Sequence, residues 1–105
     1  MLFRVLLFMA FLTTANFSLA QNGTIRGTVT DGITKETIIG ANVYIQGTQV
    51  GAATDIDGKF TIANVKPGTY SLVVSFITYK SHLIPDVIVE GGKISEIEVA
   101  LQEDA

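Results

Sequence analysis

Alternation of apolar and polar side chains with a period of two constrains this chain more than any other feature, and it is clearest between Thr54 and Tyr79. Two strands are predicted there, from Lys59 to Ala63 and from Thr69 to Ile77, and a cluster of turn-forming residues precedes each one. A two-residue period puts every second side chain on the same face of a strand, so each strand can bury one face. The stretch therefore predicts the paired strands of a β-sandwich rather than an active site.

The two turn clusters contain residue types that tight turns favour. In the first cluster, the Asp55 carboxylate can accept hydrogen bonds from backbone N–H groups further along, and Gly58 can adopt a positive φ without steric cost. In the second cluster, Pro67 fixes φ at its own position and Gly68 gives the chain freedom at the next. We therefore predict structural roles in turns for these four residues.

Further short strands are predicted on both sides of this stretch. Pro85 marks the strand that contains it as an edge strand or as the site of a β-bulge. Turn signals recur about every ten residues and no helical period follows residue 20, so an all-β sandwich or small barrel is indicated. The additional strands are Gly23–Asp31, Ala41–Gln46, Leu83–Glu90 and Lys93–Leu101, and Gln49–Ala53 is predicted as an edge strand or an extended crossing.

The first twenty residues have the composition of a signal peptide. Arg4 provides positive charge, an apolar run extends from Val5 to Leu12, and Ser18-Leu19-Ala20 offers the small residues that signal peptidase recognises. A transmembrane anchor is the alternative, but polar residues end the run well short of the roughly 20 apolar residues that a spanning helix needs. We therefore predict a signal-peptide helix at residues 1–20 and an exported domain at residues 21–105, with no membrane span in that domain.

Charge and cysteine content exclude several classes of function. The chain contains 7 Lys plus Arg and 10 Asp plus Glu, a formal net charge of −3, and its basic residues are scattered singly. Binding to nucleic acids or to anionic membranes depends on clustered basic residues, so neither is predicted. Because the chain has no cysteine, no disulfide can reinforce the core, and regular strands must hold the domain together.

No group of residues has the spacing of a catalytic or metal site. His82 is the only histidine, and the sequence offers no second histidine to join it as a zinc ligand. Asp55 and Asp57 resemble part of a calcium loop, yet Lys59 and Phe60 stand where further oxygen ligands would be needed. We therefore predict no enzymatic activity, no cofactor and no bound metal.

Two other groups of side chains could have a chemical role or a contact role. Glu96 and Glu98 share the outward face of the last strand, where like charges protect an edge from aggregation more often than they form an acid/base pair. Tyr44 and Tyr79, with Phe76, are the aromatic residues that could present a platform to a sugar ring, although aromatic side chains also commonly cover a sheet. Tyr44 and Tyr79 are retained as candidate surface contacts.

Five ordered motifs combine these turns with the apolar positions around them. They are Gly27-x-Val29 with Asp31, Gly40-Ala41-x-Val43-x-Ile45-x-Gly47-Thr48, Thr54-Asp55-x-x-Gly58-x-Phe60-x-Ile62, Val65-x-Pro67-Gly68-x-Tyr70-x-Leu72 and Ser75-Phe76-x-x-Tyr79. Together they resemble the carboxypeptidase-regulatory-like domain from Thr24 to about Leu101, which is almost the whole of the predicted mature chain. Two loop positions depart from that family's pattern: Ile38-Ile39 replaces a proline-leucine pair, and Thr78 replaces a glycine.

The resemblance implies a fold and a setting. The fold would be a seven-stranded Greek-key β-sandwich of the transthyretin (prealbumin) type. Such domains precede the plug and barrel of TonB-dependent outer-membrane receptors in Gram-negative bacteria, which implies an exported, non-catalytic module in the periplasm or at the outer membrane. Its partner would be another envelope protein, such as the rest of a receptor. A carbohydrate-binding module and a regulatory domain of a metallocarboxypeptidase are the alternatives.

Overall fold

Seven β-strands make up the part of the chain that the computed structural model describes, residues 21–104. The signal peptide predicted at residues 1–20 lies outside the described residues. Among residues 21–104, no helix has the length and apolar character needed to cross a bilayer. The strands are β1 (Gly23–Asp31), β2 (Asn42–Ile45), β3 (Gly51–Ala53), β4 (Lys59–Val65), β5 (Gly68–Ser75), β6 (His82–Val89) and β7 (Ile94–Leu101).

The strands form two sheets that pack face to face. One sheet has the order β4-β1-β7, and the other has the order β3-β2-β5-β6. Strand β1 runs parallel to β7, and all other pairs of neighbouring strands are antiparallel. The predicted all-β, seven-stranded Greek-key sandwich is confirmed, and β3 is the edge strand expected near residues 49–53.

The core lies between the sheets and consists of the inward side chains of the alternating pattern. Because a strand exposes alternate residues to opposite faces, one face of each sheet is apolar and the other faces water. Burying each of the core's valine, leucine, isoleucine or phenylalanine side chains contributes about 1.5–3 kcal/mol. The buried apolar residues are Ile25, Val29, Ile38, Ala41, Val43, Ile45, Phe60, Ile62, Val65, Leu72, Val74, Val87, Val89, Val99 and Leu101.

Strand β6 has both features that its proline predicted. It lies at the edge of the four-stranded sheet, and its register with β5 shifts between the pairs Tyr70↔Val87 and Leu72↔Ile84. The shift leaves an extra residue on β6, and Asp86 there has a φ of 58°. Because proline has no N–H group to donate to a neighbouring strand, it is compatible with such an irregular edge.

Two strand ends differ from the sequence-based predictions. The strand expected to reach Ile77 ends at Ser75, because the chain turns there and the Tyr79 N–H donates to the Phe76 carbonyl oxygen at 3.1 Å. The strand expected to end at Ala63 continues to Val65, which is buried and pairs with Gly23. The alternation alone could not locate these ends, because tertiary pairing extends one strand and a hydrogen-bonded turn shortens the other.

The directions of the strands place the connections at two opposite ends of the sandwich. The loops 32–41, 54–58 and 76–81 lie at one end together with residues 102–104, and we call this the exit end. The loops 46–50, 66–67 and 90–93 lie at the opposite end with residues 21–22.

Gly58 joins the turn before β4 to the edge of β1. Its φ is 72°, and its carbonyl oxygen accepts a hydrogen bond from the Val29 N–H at 2.8 Å. A Cβ atom at this position would lie 2.8 Å from both the Thr37 Cβ and the Val29 carbonyl oxygen. Both the backbone conformation and the surrounding space therefore require glycine.

We expect Gly58→Ala to lower the free energy of unfolding more than Gly47→Ala does. Gly47 also has a positive φ, of 83°, but a Cβ atom there would meet nothing within 4 Å. The left-handed conformation should cost alanine about 1–2 kcal/mol at either site, and crowding should add about 1–3 kcal/mol at Gly58 alone. Urea unfolding measures both values. Equal losses for the two variants would contradict this account of Gly58.

Candidate functional site

Asp31, the last residue of β1, is the centre of the hydrogen-bond network at the exit end. Its side chain is buried, and its Oδ1 atom accepts hydrogen bonds from the backbone N–H groups of Ile33 at 2.8 Å and Thr34 at 2.9 Å. Its Oδ2 atom accepts a hydrogen bond from the Tyr79 hydroxyl group at 2.9 Å. An aspartate at the end of a strand can satisfy the free N–H groups of the turn that follows.

These donors change the acidity of both partners. The N–H groups of Thr34 and Ile33, followed by the Tyr79 hydroxyl group, lower the pKa of Asp31 below its ordinary value of 3.8. The same hydrogen bond to Asp31, reinforced by burial, raises the pKa of Tyr79 above its ordinary value of 10.0. At neutral pH the pair is therefore a carboxylate that accepts a hydrogen bond from a neutral phenol.

The Tyr79 side chain is partly packed against the sandwich and partly exposed at its surface. Its ring is half-buried and packs against Phe76, with ring centroids 6.0 Å apart and an interplanar angle of 46°. Its hydroxyl group is occupied by Asp31. A partner could therefore contact only the exposed part of the ring, so the surface contact predicted at Tyr79 stays a prediction.

The sequence signalled Asp31 as the end of a strand, with Gly32 as a turn signal, and as part of one of the ordered motifs. Its hydrogen bond to Tyr79 spans 48 residues of sequence and could not be read from the local pattern. The available signal was the order of Asp31, Gly32 and Thr34, which is typical of a turn in which a carboxylate accepts from the following N–H groups.

Residues 102–104 are held against the loop between β5 and β6. Tyr79 and Glu103 form an antiparallel bridge. The Asp104 N–H donates to the Thr78 carbonyl oxygen at 2.8 Å, and the Lys80 N–H donates to the Gln102 carbonyl oxygen at 2.9 Å. The chain beyond β7 therefore crosses to the other sheet at the exit end.

Four isoleucine side chains project from the loops of the exit end. Ile33 is 88% exposed, Ile77 is 77% exposed, Ile56 is 75% exposed and Ile39 is 55% exposed. Thr54 ties two of the three loops that carry them, because its hydroxyl group donates to the Ile38 carbonyl oxygen at 2.6 Å. The third loop, which carries Ile77, is held by the hydrogen bond from Tyr79 to Asp31. We call these four side chains the isoleucine group. Exposed aliphatic side chains concentrated at one end of a domain are typical of a contact surface.

Tyr44 lies on the outer face of the four-stranded sheet. The strand register aligns it with Gly51 on β3, Val73 on β5 and Leu83 on β6. Tyr44 and Val73 are half-buried, and Leu83 is 49% exposed. These residues form an apolar row across the sheet, with Tyr44 as its aromatic member.

Of the four residues predicted to form turns, Asp55, Gly58 and Pro67 lie in connections between strands, and Gly68 does not. The Asp55 Oδ1 atom accepts hydrogen bonds from the N–H groups of Asp57 and Lys59, both at 2.9 Å. Pro67 lies in the connection between β4 and β5, and Gly68 is the first residue of β5. The residue with a positive φ nearest to this connection is Asn64, close to the end of β4, with a φ of 59°.

The remaining polar candidates are separated from one another in the fold. His82 is exposed at the start of β6. On β7, Glu96 forms an ion pair with Arg26, and Glu98 is exposed. Within residues 21–104, no three His, Cys, Asp or Glu side chains are grouped closely enough to hold a metal ion. Asp55 is engaged with backbone N–H groups, as expected of a turn-forming residue.

Comparison with known proteins gives a family match and receptor relatives. The model of the family described as CarboxypepD_reg-like domain matches residues 25–105. The TonB-dependent receptor SusC of Bacteroides thetaiotaomicron is 46% identical over 66 residues, which are 63% of this chain and 6% of the receptor. The TonB-dependent receptor P39 of Formosa agariphila is 42% identical over 84 residues, which are 77% of this chain and 7% of the receptor. The chain thus spans less than a tenth of the length of these relatives.

The fold also occurs in solved structures. A chain of the type II cohesin–X–dockerin complex from Acetivibrio cellulolyticus, studied as an N-terminal interface mutant, is 26% identical and superimposes with a TM-score of 0.67. The match covers 77% of this chain and 58% of that chain.

We expect Asp31→Asn to lower the free energy of unfolding at neutral pH. The substitution should also reduce the loss of this free energy when the pH falls. Because hydrogen bonds lower the pKa of Asp31, its stabilising effect is complete above its ordinary pKa of 3.8 and is lost as the pH falls through the folded-state value. Asparagine keeps the size of the side chain but carries no charge. Urea unfolding at a series of pH values from about 6 to about 2 measures the effect.

Asp57→Asn serves as the control for this comparison, because Asp57 is an exposed aspartate in another loop of the exit end. The control should retain most of the stability of the parent chain at neutral pH. If Asp31→Asn and the parent chain lost stability equally on acidification, the role assigned to the Asp31 carboxylate would be wrong.

Proposed function

Because the chain belongs to the CarboxypepD_reg-like domain family, we propose that it is a non-catalytic accessory module that acts by contact with other proteins of the cell envelope. Its proposed setting is the N-terminal domain, or part of it, of a TonB-dependent outer-membrane receptor. The module is exported and works on the periplasmic side of the outer membrane of a Gram-negative bacterium. The identity of 46% and 42% with two TonB-dependent receptors carries this proposal.

The proposed contact surface is the exit end. A polypeptide continuing from Asp104 would leave the sandwich there, because residues 102–104 are fixed against the loop between β5 and β6. The isoleucine group lies at the same end, and burying its exposed apolar area would contribute about 25 cal/mol per Å². The Asp31–Tyr79 hydrogen bond keeps the loops in place before the partner binds, which lowers the entropic cost of association.

The engagement of the acidic side chains supports a non-catalytic role. Asp31 accepts two backbone N–H groups and the Tyr79 hydroxyl group, and Asp55 accepts two backbone N–H groups. A general acid or base must be within hydrogen-bond reach of a substrate proton, and these carboxylates are turned toward their own loops. Their chemistry fits the stabilisation of loops.

We expect a photo-crosslinking amino acid in place of Ile77 to form crosslinks to a TonB-dependent receptor polypeptide in the cells that carry the gene. Val50, which is 50% exposed at the opposite end, is the matched control position. Whole cells are irradiated, the outer membrane is isolated, and mass spectrometry of the crosslinked product identifies the receptor. The method detects a crosslink within one polypeptide as well as a crosslink between two.

A receptor crosslink from Ile77 but not from Val50 would agree with the proposed contact surface. Crosslinks only to proteins outside this receptor class, or equal crosslinking from both ends, would contradict it. Recovery of the whole protein in the cytosolic fraction would contradict the proposed location.

The row of Tyr44, Val73 and Leu83 favours a second candidate, a carbohydrate-binding module. A sugar ring could stack on the Tyr44 ring. The amide of Asn42 and the hydroxyl group of Ser75, which are paired two register positions away on the same face, offer hydrogen bonds to the hydroxyl groups of the sugar. Apolar surface bordered by a few polar groups is typical of small-ligand sites.

For this candidate we expect Tyr44→Ala to weaken glycan binding by about tenfold or more, because truncation removes the ring, whereas Tyr44→Phe should retain most of the affinity. A glycan array identifies a ligand, and calorimetry of the two variants measures the change. An array without signal, or equal affinities of Tyr44→Ala and the parent chain, would rule out the carbohydrate candidate.

A further inference from the structure

The two open sheets have four edge strands, β3 and β6 in one sheet and β4 and β7 in the other. An edge strand presents unpaired backbone N–H and C=O groups, which can pair with a strand from another polypeptide. Natural edges usually carry a feature that prevents this pairing, such as a very short strand, a bulge, a proline or charged side chains. The four edges of this sandwich differ in which of these features they have.

Three of the edges have irregular or short backbones. Strand β3 has only three residues. Strand β4 loses its regular register near Asn64, which has a positive φ of 59°. Strand β6 contains Pro85 and the bulge at Asp86, and the Ser95 hydroxyl group donates to its Ile88 carbonyl oxygen at 2.6 Å. Each of these backbones is a poor template for an added strand.

Strand β7 has a regular backbone throughout. It pairs with β1 in eight consecutive register positions without a bulge, and it contains neither proline nor glycine. At the two ends of this pairing, the Thr24 N–H donates to the Lys93 carbonyl oxygen and the Gly32 N–H donates to the Leu101 carbonyl oxygen. The backbone N–H and C=O groups of the odd-numbered residues of β7 therefore point toward β1. Because backbone groups alternate along a strand, those of the even-numbered residues point away from β1, toward the free edge of the sheet. These outward residues are Ile94, Glu96, Glu98 and Ala100.

The outward residues form a free edge of limited length. Beyond Leu101 the chain pairs with residues 78–80, which closes the edge at the exit end. The open part extends from Ile94 to Ala100, and at about 3.3 Å per residue it is about 20 Å long. All four outward residues are exposed. An added strand of about five to seven residues would fit.

The charge of this edge selects among the strands that could be added. Arg26 neutralises Glu96 through an ion pair, while Glu98 has no ion-pair partner within residues 21–104. A second copy of β7 would bring its own glutamates close to Glu98, and like charges on opposite strands are destabilising. A strand with lysine or arginine on that face would instead gain a favourable pair.

We propose that the free edge of β7 is a docking site for an extended, basic segment of another polypeptide, which adds as a fourth strand to the β4-β1-β7 sheet. Backbone hydrogen bonds to Glu96 and Glu98 supply the affinity, and a basic side chain opposite Glu98 supplies the specificity. This inference rests on the proposed role as an interaction module and names a mode of contact for it. The docking site is separate from the isoleucine group at the exit end.

A designed peptide tests the edge directly. The probe is the acetylated and amidated heptapeptide Thr-Val-Lys-Val-Lys-Val-Thr, and the control peptide has glutamate in place of both lysines. Calorimetry with the whole chain should detect binding of the basic peptide at concentrations up to about 1 mM, and binding of the acidic peptide should be at least about tenfold weaker. No binding of the basic peptide, or equal binding of the two peptides, would overturn the proposal.

Two proline variants separate this edge from the other edge of the same sheet. Glu98→Pro removes an outward N–H group without removing a hydrogen bond to β1, and it should weaken binding at least about tenfold. Thr61→Pro removes an outward N–H group from β4 and should leave binding unchanged. Glu98→Gln, which removes the charge and keeps the size of the side chain, should weaken binding by about two- to fivefold. Equal losses in the two proline variants would overturn the proposal.

Hydrogen exchange on the unaltered chain gives a measurement that does not depend on the folding of a variant. The basic peptide should slow exchange of the Glu96 and Glu98 amides at least about tenfold and leave the Thr61 and Ala63 amides unchanged. Protection of the β4 amides instead, or dimers of the chain that form through β7 without peptide, would overturn the proposal. A failed peptide test combined with receptor crosslinks from Ile77 would reject the β7 site alone and leave the proposed receptor role in place.

Discussion

The parallel pairing of β1 with β7 is the interaction on which the rest of the sandwich depends. It joins segments about 70 residues apart in eight consecutive register positions and makes β1 the central strand of its sheet. With partners on both edges, β1 can place Ile25 and Val29 completely out of solvent. A slip of one residue would turn both side chains to the outer face, so the pairing also fixes which side chains form the core. A contact between such distant segments carries a large loop-closure cost and favours slow, cooperative folding.

The same pairing organises the exit end. It brings the end of β1 beside the end of β7, where the Gly32 N–H donates to the Leu101 carbonyl oxygen at 2.9 Å. Asp31 then holds its own turn through two backbone N–H groups and holds the loop between β5 and β6 through Tyr79. Because Tyr79 also bridges to Glu103, one carboxylate is linked to three segments of the chain. The hydrogen bonds of the buried Asp31 side chain thus hold the loops that form the proposed contact surface.

The sequence pattern predicted the strands and the core more completely than it predicted their partners. Alternation identified the inward residues of β2 and β4, such as Val43 and Phe60, because a period of two is a local property of a strand. It could not show that β1 pairs in parallel with β7, because alternation contains no information on the partner. The role of Asp31 was missed for the same reason, since its hydrogen bond to Tyr79 is set by the tertiary fold. Asp55 and Gly58 could be assigned to a turn because the hydrogen bonds within that turn, including the one from the Gly58 N–H to the Asp55 carbonyl oxygen, are made within a few residues of sequence. The hydrogen bond from the Val29 N–H to Gly58 could not be read from the sequence, because it depends on the tertiary fold.

Thr78 shows how tertiary contacts can override the preference of a residue. It has a φ of 71°, a left-handed conformation that is unfavourable for a β-branched side chain, and its side chain is exposed. Packing of that side chain therefore does not compensate for the backbone cost. The compensating contacts lie on either side, where the Asp104 N–H donates to the Thr78 carbonyl oxygen and the neighbouring Tyr79 hydroxyl group donates to Asp31. A glycine would follow the same path without the steric cost. The departure from the family pattern thus changes the energy of this loop, while Asp31 and residues 102–104 determine its shape.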